Sequence, residues 1–260
     1  EDGSSYTYNA DGSSSWTNAD GTSGTYSADG SGSMTYADGT SESWDAEGNW
    51  EMTDADGNVV ESANWETGEF MHEDGSSEVW NEDGSSTYTS PDGTVSEYGA
   101  DGSGSTYHPD GSSEHWEADG SSSYEGADGS TYYQNADGSG SWSDGQGNMN
   151  TWEADGSGSS SYDDGSYSTW EADGSGSWSD GQGNMDSWSA DGSGSYQHAD
   201  GSSGVWHADG SGSCTYADGS SGSWSADGSG TWTDPEGNTG TNNADGSGSM
   251  SYADGSSETW

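Results

Sequence analysis

The sequence predicts an all-β fold, a repetitive antiparallel meander of nine-residue strand-and-turn units with one aromatic face. Three observations predict it. A nonapeptide, Ala-Asp-Gly-Ser followed by five variable residues, recurs through 29 copies from position 1 to position 260 without an insertion or deletion. Most copies open on Asp-Gly followed by Ser, Thr or Asn, which is turn chemistry. Large aromatic residues return every eighteen residues, alternately at the eighth and seventh positions. Self-similarity at a fixed short period is the mark of an array in which each unit packs mainly on its neighbours.

Composition limits what the array can build. Apolar residues make up 24% of the chain, and the aromatic total is 15 Trp, 15 Tyr and one Phe. Leu and Ile are absent, so a compact aliphatic core is excluded and any core is thin and aromatic. The chain carries 49 acidic residues and no Lys or Arg. Low hydropathy with high net charge is the composition of disorder, but strict periodicity and evenly placed rings oppose that reading. Nucleic acid is excluded as a partner, because nothing here neutralises phosphate, and anionic membrane is excluded on the same ground. No apolar run reaches membrane-spanning length, so no insertion is expected, and no signal peptide is visible. Glu1 opens the chain without Met, which suggests a mature product or a piece of a longer array.

The turn type follows from proline and glycine. The third position is Gly in every copy except the one containing Glu66. Pro91, Pro109 and Pro235 all fall at the first position, where a fixed φ suits the second residue of a type I turn. Glycine then falls where a three-residue hairpin loop needs a left-handed residue, the G1 bulge. Ser90-Pro91-Asp92-Gly93 and Asp234-Pro235-Glu236-Gly237 show the pattern most plainly.

A second correlation marks five turns. Asn occupies the fourth position at Asn49, Asn58, Asn148, Asn184 and Asn238, and each time Asp precedes the turn, at Asp45, Asp54, Asp144, Asp180 and Asp234. The pairing fits a hydrogen bond closing the turn. It also fits a cation held by these Asp and Asn residues together with Glu47, Asp56 and Glu236. Ca²⁺ is the expected ion, since it accepts carboxylate and carbonyl oxygens in flexible geometry. Divalent cations are expected partners in any case, because 49 negative charges repel without counter-ions.

Two architectures fit a nonapeptide, an antiparallel meander with one strand per copy and a two-sided parallel β-solenoid. In the meander, position eight opposes position five of the next copy and seven opposes six. Opposed residues share a face, so all the period-eighteen aromatics fall on one face, with Ser, Thr, Asn and Glu on the other. That register also sets Gly158, Gly176, Gly194, Gly212 and Gly230 opposite Trp152, Trp170, Trp188, Trp206 and Trp224, and Gly222 opposite Cys214. A ring over a cross-strand glycine covers bare backbone, and the parallel coil gives no reason for these pairs. The meander is therefore preferred. Its aromatic face is too large to stay exposed and is expected to be covered by curling, by folding over or by a second chain.

Other chemistry is thin. The histidines are His72, His108, His115, His198 and His207, and the nine-residue spacing of the last two invites a metal pair that lacks a third ligand. Cys214 is the one cysteine, so there is no disulfide framework. No catalytic group and no cofactor site is expected.

The segments Thr233-Asp234-Pro235-Glu236-Gly237-Asn238-Thr239 and Tyr162-Asp163-Asp164-Gly165 resemble the YD repeats of bacterial RHS and animal teneurin proteins. That resemblance implies a secreted or cell-surface array of β-hairpins, although the basic residues usual there are missing and the period is shorter. Tyr8-Asn9-Ala10-Asp11-Gly12-Ser13 is similar to the hairpins of choline- and glucan-binding repeats, without their paired Gly-Trp signature. The period of nine is also that of the calcium-binding RTX nonapeptide, whose double-glycine motif is absent. The expectation is a non-catalytic extracellular structural protein that forms or decorates a fibre, sheath, matrix or adhesin stalk, with self-association into filaments. The alternative is a glycan-binding module using exposed rings.

Overall fold

A computed structural model describes residues 2–260. Its described residues form 29 β-strands and no helix, from β1 (Ser5–Tyr8) to β29 (Ser257–Thr259). The chain divides into two units, the first through Ala127 and the second Asp128–Trp260. In the first, β1 to β14 (Ser122–Glu125) pair each with the next in antiparallel fashion. In the second, β15 (Thr131–Gln134) to β29 do the same. This is the expected meander, and the parallel coil is ruled out. Most strands have four residues, because the turn takes the other five of the nine.

The turns are built as the prolines indicate. Gly12 donates its N–H to the Asn9 carbonyl at 3.1 Å, and Asn9 donates to the Ser13 carbonyl at 2.9 Å. Gly12 has φ 89°, a left-handed value that costs any residue with a Cβ. The Asp at the second position caps the loop. Asp11 Oδ1 accepts the Ser13 N–H at 3.0 Å and the Ser13 hydroxyl at 2.7 Å.

The register agrees with the expected one. Trp152 opposes Gly158, Trp170 opposes Gly176, and Cys214 opposes Gly222. Strand alternation puts the period-eighteen rings on one face. Cross-strand hydroxyl pairs line the other, as in Thr151 with Ser159, Thr169 with Ser177 and Ser187 with Ser195, each 2.8 Å apart. No second layer forms within either unit. Ala63 is the one buried apolar residue among those described, and the other buried side chains are serines. Folding over within a unit does not supply the expected cover: within each unit the aromatic face is half-exposed.

The period is broken structurally at one place. Glu66 stands where glycine is expected, and the turn slides two residues on to Gly68, whose φ is 72°. Asn64 Oδ1 caps this longer loop by accepting the N–H of Glu66 at 3.0 Å and of Thr67 at 2.9 Å. A register shift between Met52 and Thr53 accompanies the slide, where β6 (Asn49–Thr53) meets β7 (Val59–Asn64). Trp65 stands on the displaced turn, 64% exposed, with its ring edge-on to Phe70 at 5.3 Å.

Candidate functional site

The most regular assembly of side chains is a ladder of indoles in the second unit. Trp152, Trp170, Trp188, Trp206 and Trp224 end β17 (Met149–Trp152), β19 (Tyr167–Trp170), β21 (Met185–Trp188), β23 (Ser203–Trp206) and β25 (Ser221–Trp224). Their indole N–H groups donate to the carbonyls of Gly138, Gly156, Gly174, Gly192 and Gly210 at 2.9–3.0 Å. Each ring lies over a glycine twelve residues before it. A methyl group built on Gly176 would sit 2.6 Å from Trp188 Cζ2 and against the Thr169 carbonyl oxygen. Gly140, Gly158, Gly194 and Gly212 are occluded in the same way by Trp152, Trp170, Trp206 and Trp224. Trp44 over Gly32, bonded to the Gly30 carbonyl at 3.0 Å, is the same clasp in the first unit.

Here the structure corrects a detail of the register reading. A position-five glycine is opposed on both sides, so Gly158 faces Trp152 and Trp170 alike. The ring that covers it is Trp170, from the following strand, because leaning that way lets the indole reach the Gly156 carbonyl. Gly230, opposite Trp224 and Asn242, is covered by no ring. Gly140 and Gly248, which have Trp twelve residues later but no aromatic six residues earlier, held the sequence signal for this. Position-six glycines follow the opposite rule, with Gly24 under Trp16, Gly204 under Tyr196 and Gly240 under Trp232.

Charge is segregated around the ladder. From β16 (Gly140–Ser143) to β28 (Gly248–Ser251), Asp186 is the one acidic strand residue. The other carboxylates of that stretch stand in the turns, so a strip with one carboxylate lies between two acidic edges.

The five Asp–Asn turns close as hydrogen-bonded pairs. Asn58 Nδ2 donates to Asp54 Oδ2 at 2.8 Å, and Asp54 Oδ1 accepts the N–H groups of Asp56 at 2.9 Å and Asn58 at 2.8 Å. Asp45 takes the N–H of Glu47 and of Asn49 in the same way, and Asn49 Nδ2 as well. Asp144 pairs with Asn148, Asp180 with Asn184 and Asp234 with Asn238. The Asn oxygen has a second use that the sequence did not disclose. Asn148, Asn184 and Asn238 each accept the N–H of the residue fifteen positions on, Asp163, Ala199 and Ala253, at 3.2, 3.0 and 2.8 Å. This ties a turn to the next turn on the same edge. Asn49 Oδ1 takes Asn64 Nδ2 instead, at 2.6 Å. Donors therefore reach both carboxylate oxygens of all five, Asp45, Asp54, Asp144, Asp180 and Asp234. Glu47, Asp56 and Glu236 are exposed. Among the described residues, no group of three or more His, Cys, Asp or Glu converges as a metal site would require.

These bonds set the pH response. Asn49, Asn58 and Asn184 side chains, and the Gln146 N–H first for Asp144, hold Asp45, Asp54, Asp180 and Asp144 below the usual carboxylate range. At the second position the same direction holds, as for Asp155 and Asp173 beside the hydroxyls of Ser157 and Ser175. A carboxylate depressed on folding contributes stability that is present above its unfolded pKa of about 3.9 and is lost as pH falls through the lower folded value. Melting temperature should thus hold down to about pH 4 and fall below it. Circular-dichroism melts at fixed ionic strength check this, and stability that rises on acidification would show that charge repulsion outweighs the turn bonds.

The histidines do not assemble. His198 and His207 each open their own turn, donating N–H to the Ser202 and Ser211 carbonyls, and successive turns lie at opposite ends of the strands. His115 pairs with Glu117 at 2.8 Å. Cys214 is a free, half-buried thiol. A concave cleft of about 770 Å³ lies at the broken repeat, with Ser43, Glu51, Ser62, Met71 and Ser77 in its lining.

The fold and this face define a class, the open antiparallel repeat sheet with clasped indoles. No protein-family model and no curated protein matches the chain. Similar solved structures include the G-box domain of the microcephaly protein CPAP, described as suggesting a role in centriole elongation. It is 21% identical with a TM-score of 0.38, over 65% of this chain and 99% of that one. The TCP10 domain of Danio rerio CPAP is 24% identical with a TM-score of 0.28, over 70% and 96%. The TCP domain of Drosophila melanogaster SAS-4, solved in complex with a proline-rich motif of Ana2, is 22% identical with a TM-score of 0.30, over 54% and 88%. These are not YD-repeat proteins, so the resemblance to RHS and teneurin arrays is corrected. The secreted or cell-surface location, and the extracellular filament and adhesin roles, are withdrawn with it. The segments at 233–239 and 162–165 share only the turn chemistry that any hairpin loop of this type requires.

Proposed function

We propose that this chain is a non-catalytic structural protein that decorates a polymeric fibre or matrix, using the aromatic face of its sheet as the contact surface. The carrying observation is that face itself, a row of half-exposed rings with no layer over it. A contiguous exposed apolar surface of this kind marks an interaction site. Self-association through the same face is the competing use. Sedimentation velocity of the chain alone, and co-pelleting with protein fibres and with insoluble polysaccharides, test the proposal. Pelleting with at least one polymer, accompanied by reduced acrylamide quenching of Trp fluorescence, is expected. No pelleting with any of them would overturn it.

Cations support the sheet in this reading. Like turns on one edge stand two strand spacings apart, about 9–10 Å, and a Debye length of about 8 Å screens them only in part. Divalent cations, Ca²⁺ foremost, should therefore raise the melting temperature above that in EDTA. The measurement compares Ca²⁺, Mg²⁺ and NaCl at matched ionic strength. Full substitution by NaCl would mean diffuse screening, with no discrete sites at the Asp–Asn turns.

A further inference from the structure

We infer that the indole ladder of the second unit binds an extended, uncharged, β-linked polysaccharide lying across the strands. This rests on the contact-surface reading above and names the polymer.

Three features select this occupant. The first is periodicity. Five rings on alternate strands repeat one geometry, each with its N–H fixed to a glycine carbonyl and its ring over a glycine. Their spacing is two strand separations, about 9–10 Å, close to the disaccharide repeat of an extended β-1,4-linked chain. A polymer with that repeat can present an equivalent sugar to every ring. A folded protein surface has no such translation.

The second feature is charge. The strip from β16 to β28 carries one carboxylate, Asp186, while the other acidic residues of that stretch flank it in the turns. An anionic polymer would meet those edges unfavourably. A second copy of this chain would bring its own acidic edges against them, since the chain has no Lys or Arg to pair with. A neutral chain carries neither penalty, and its hydroxyls can bond to the turn carboxylates beside the rings.

The third feature is pre-organisation. The hydrogen bond and the glycine seat fix each indole before any ligand arrives, so little side-chain freedom is lost on binding. The rings remain accessible, with Trp188 38% and Trp224 42% exposed. Indole faces stack on the apolar faces of sugar rings, and several weak contacts along one polymer add as linked sites do.

The test uses the whole chain with cellulose, chitin and their soluble oligosaccharides at neutral pH. The chain should pellet with insoluble β-1,4-linked glucan or chitin. Soluble oligosaccharides should quench or shift Trp fluorescence, with affinity rising at least about tenfold from disaccharide to hexasaccharide as further rings engage. Trp188→Ala and Trp206→Ala should weaken retention, whereas Trp65→Ala, on the displaced turn of the first unit, should not. Circular dichroism of each variant separates lost binding from lost fold, and protection of the unaltered chain from acrylamide quenching needs no variant at all. Absence of pelleting and of protection with every neutral polysaccharide overturns the inference. Retention that survives loss of the ladder tryptophans overturns it too. Pelleting with protein fibres alone would remove this inference while leaving the contact-surface reading in place.

Discussion

Gly176→Ala should destabilise the second unit by about 2–3 kcal/mol, at the upper end of what overpacking costs. The added methyl would lie 2.6 Å from Trp188 Cζ2 and press on the Thr169 carbonyl oxygen. The ring could yield only by giving up its bond to the Gly174 carbonyl, 3.0 Å away, and the backbone could yield only by opening the ladder. Gly222→Ala is the internal control. Its methyl would meet nothing nearer than the Thr231 carbonyl oxygen at 3.6 Å and Cys214 Sγ at 3.8 Å, which is ordinary contact. The gain in strand propensity should leave that variant within about 0.5 kcal/mol of the parent or slightly above it. Denaturant melts of the two variants decide the matter. Equal effects would mean that the ring is not seated on Gly176.

Trp224→Ala should cost about 2–4 kcal/mol. The ring is 42% exposed, so somewhat more than half of an aromatic surface of about 150–250 Å² returns to water, at about 25 cal/mol per Å². Loss of the indole bond to the Gly210 carbonyl at 2.9 Å adds to this, and Gly212 is left bare. A fully buried tryptophan would cost more, about 3–5 kcal/mol. The loss should be local, because each strand contacts only its neighbours. Hydrogen exchange should quicken in β24 (Gly212–Thr215) and β25 before it does in β17. Uniform acceleration along the unit would contradict this, and an unchanged melt would show that the ring contributes nothing.

Much of this architecture is written in the period. Glycine at the third position, proline at the first and Asp at the second specify a G1-bulged hairpin, and such a loop permits one strand register. That register is why Trp170 opposes Gly176 and why the rings share a face. Three things were not legible. The side to which each ring leans depends on which neighbouring carbonyl its N–H can reach, and Gly158 stands opposite two tryptophans. The displaced turn at Gly68 appears in the sequence only as a missing glycine at Glu66, and nothing in the period marks the register shift at Met52 and Thr53 that accompanies it. The oxygen of Asn184 serves Ala199, fifteen residues away, and turn-local reasoning gives no view of that. The Asp–Asn pairing was legible as turn closure because the two residues face each other across a single loop.

The exposed strip and its proposed ligand depend on the seating of each ladder indole over a glycine of the preceding strand. The direct measurement is the NMR spectrum of the glycine Hα protons. Gly140, Gly158, Gly176, Gly194 and Gly212 should be shifted upfield by ring current, with nuclear Overhauser contacts to the indoles of Trp152, Trp170, Trp188, Trp206 and Trp224, while Gly230 should lack them. Contacts from Gly158 and Gly176 to the tryptophans six residues earlier instead, or glycine shifts at random-coil values throughout, would contradict this seating.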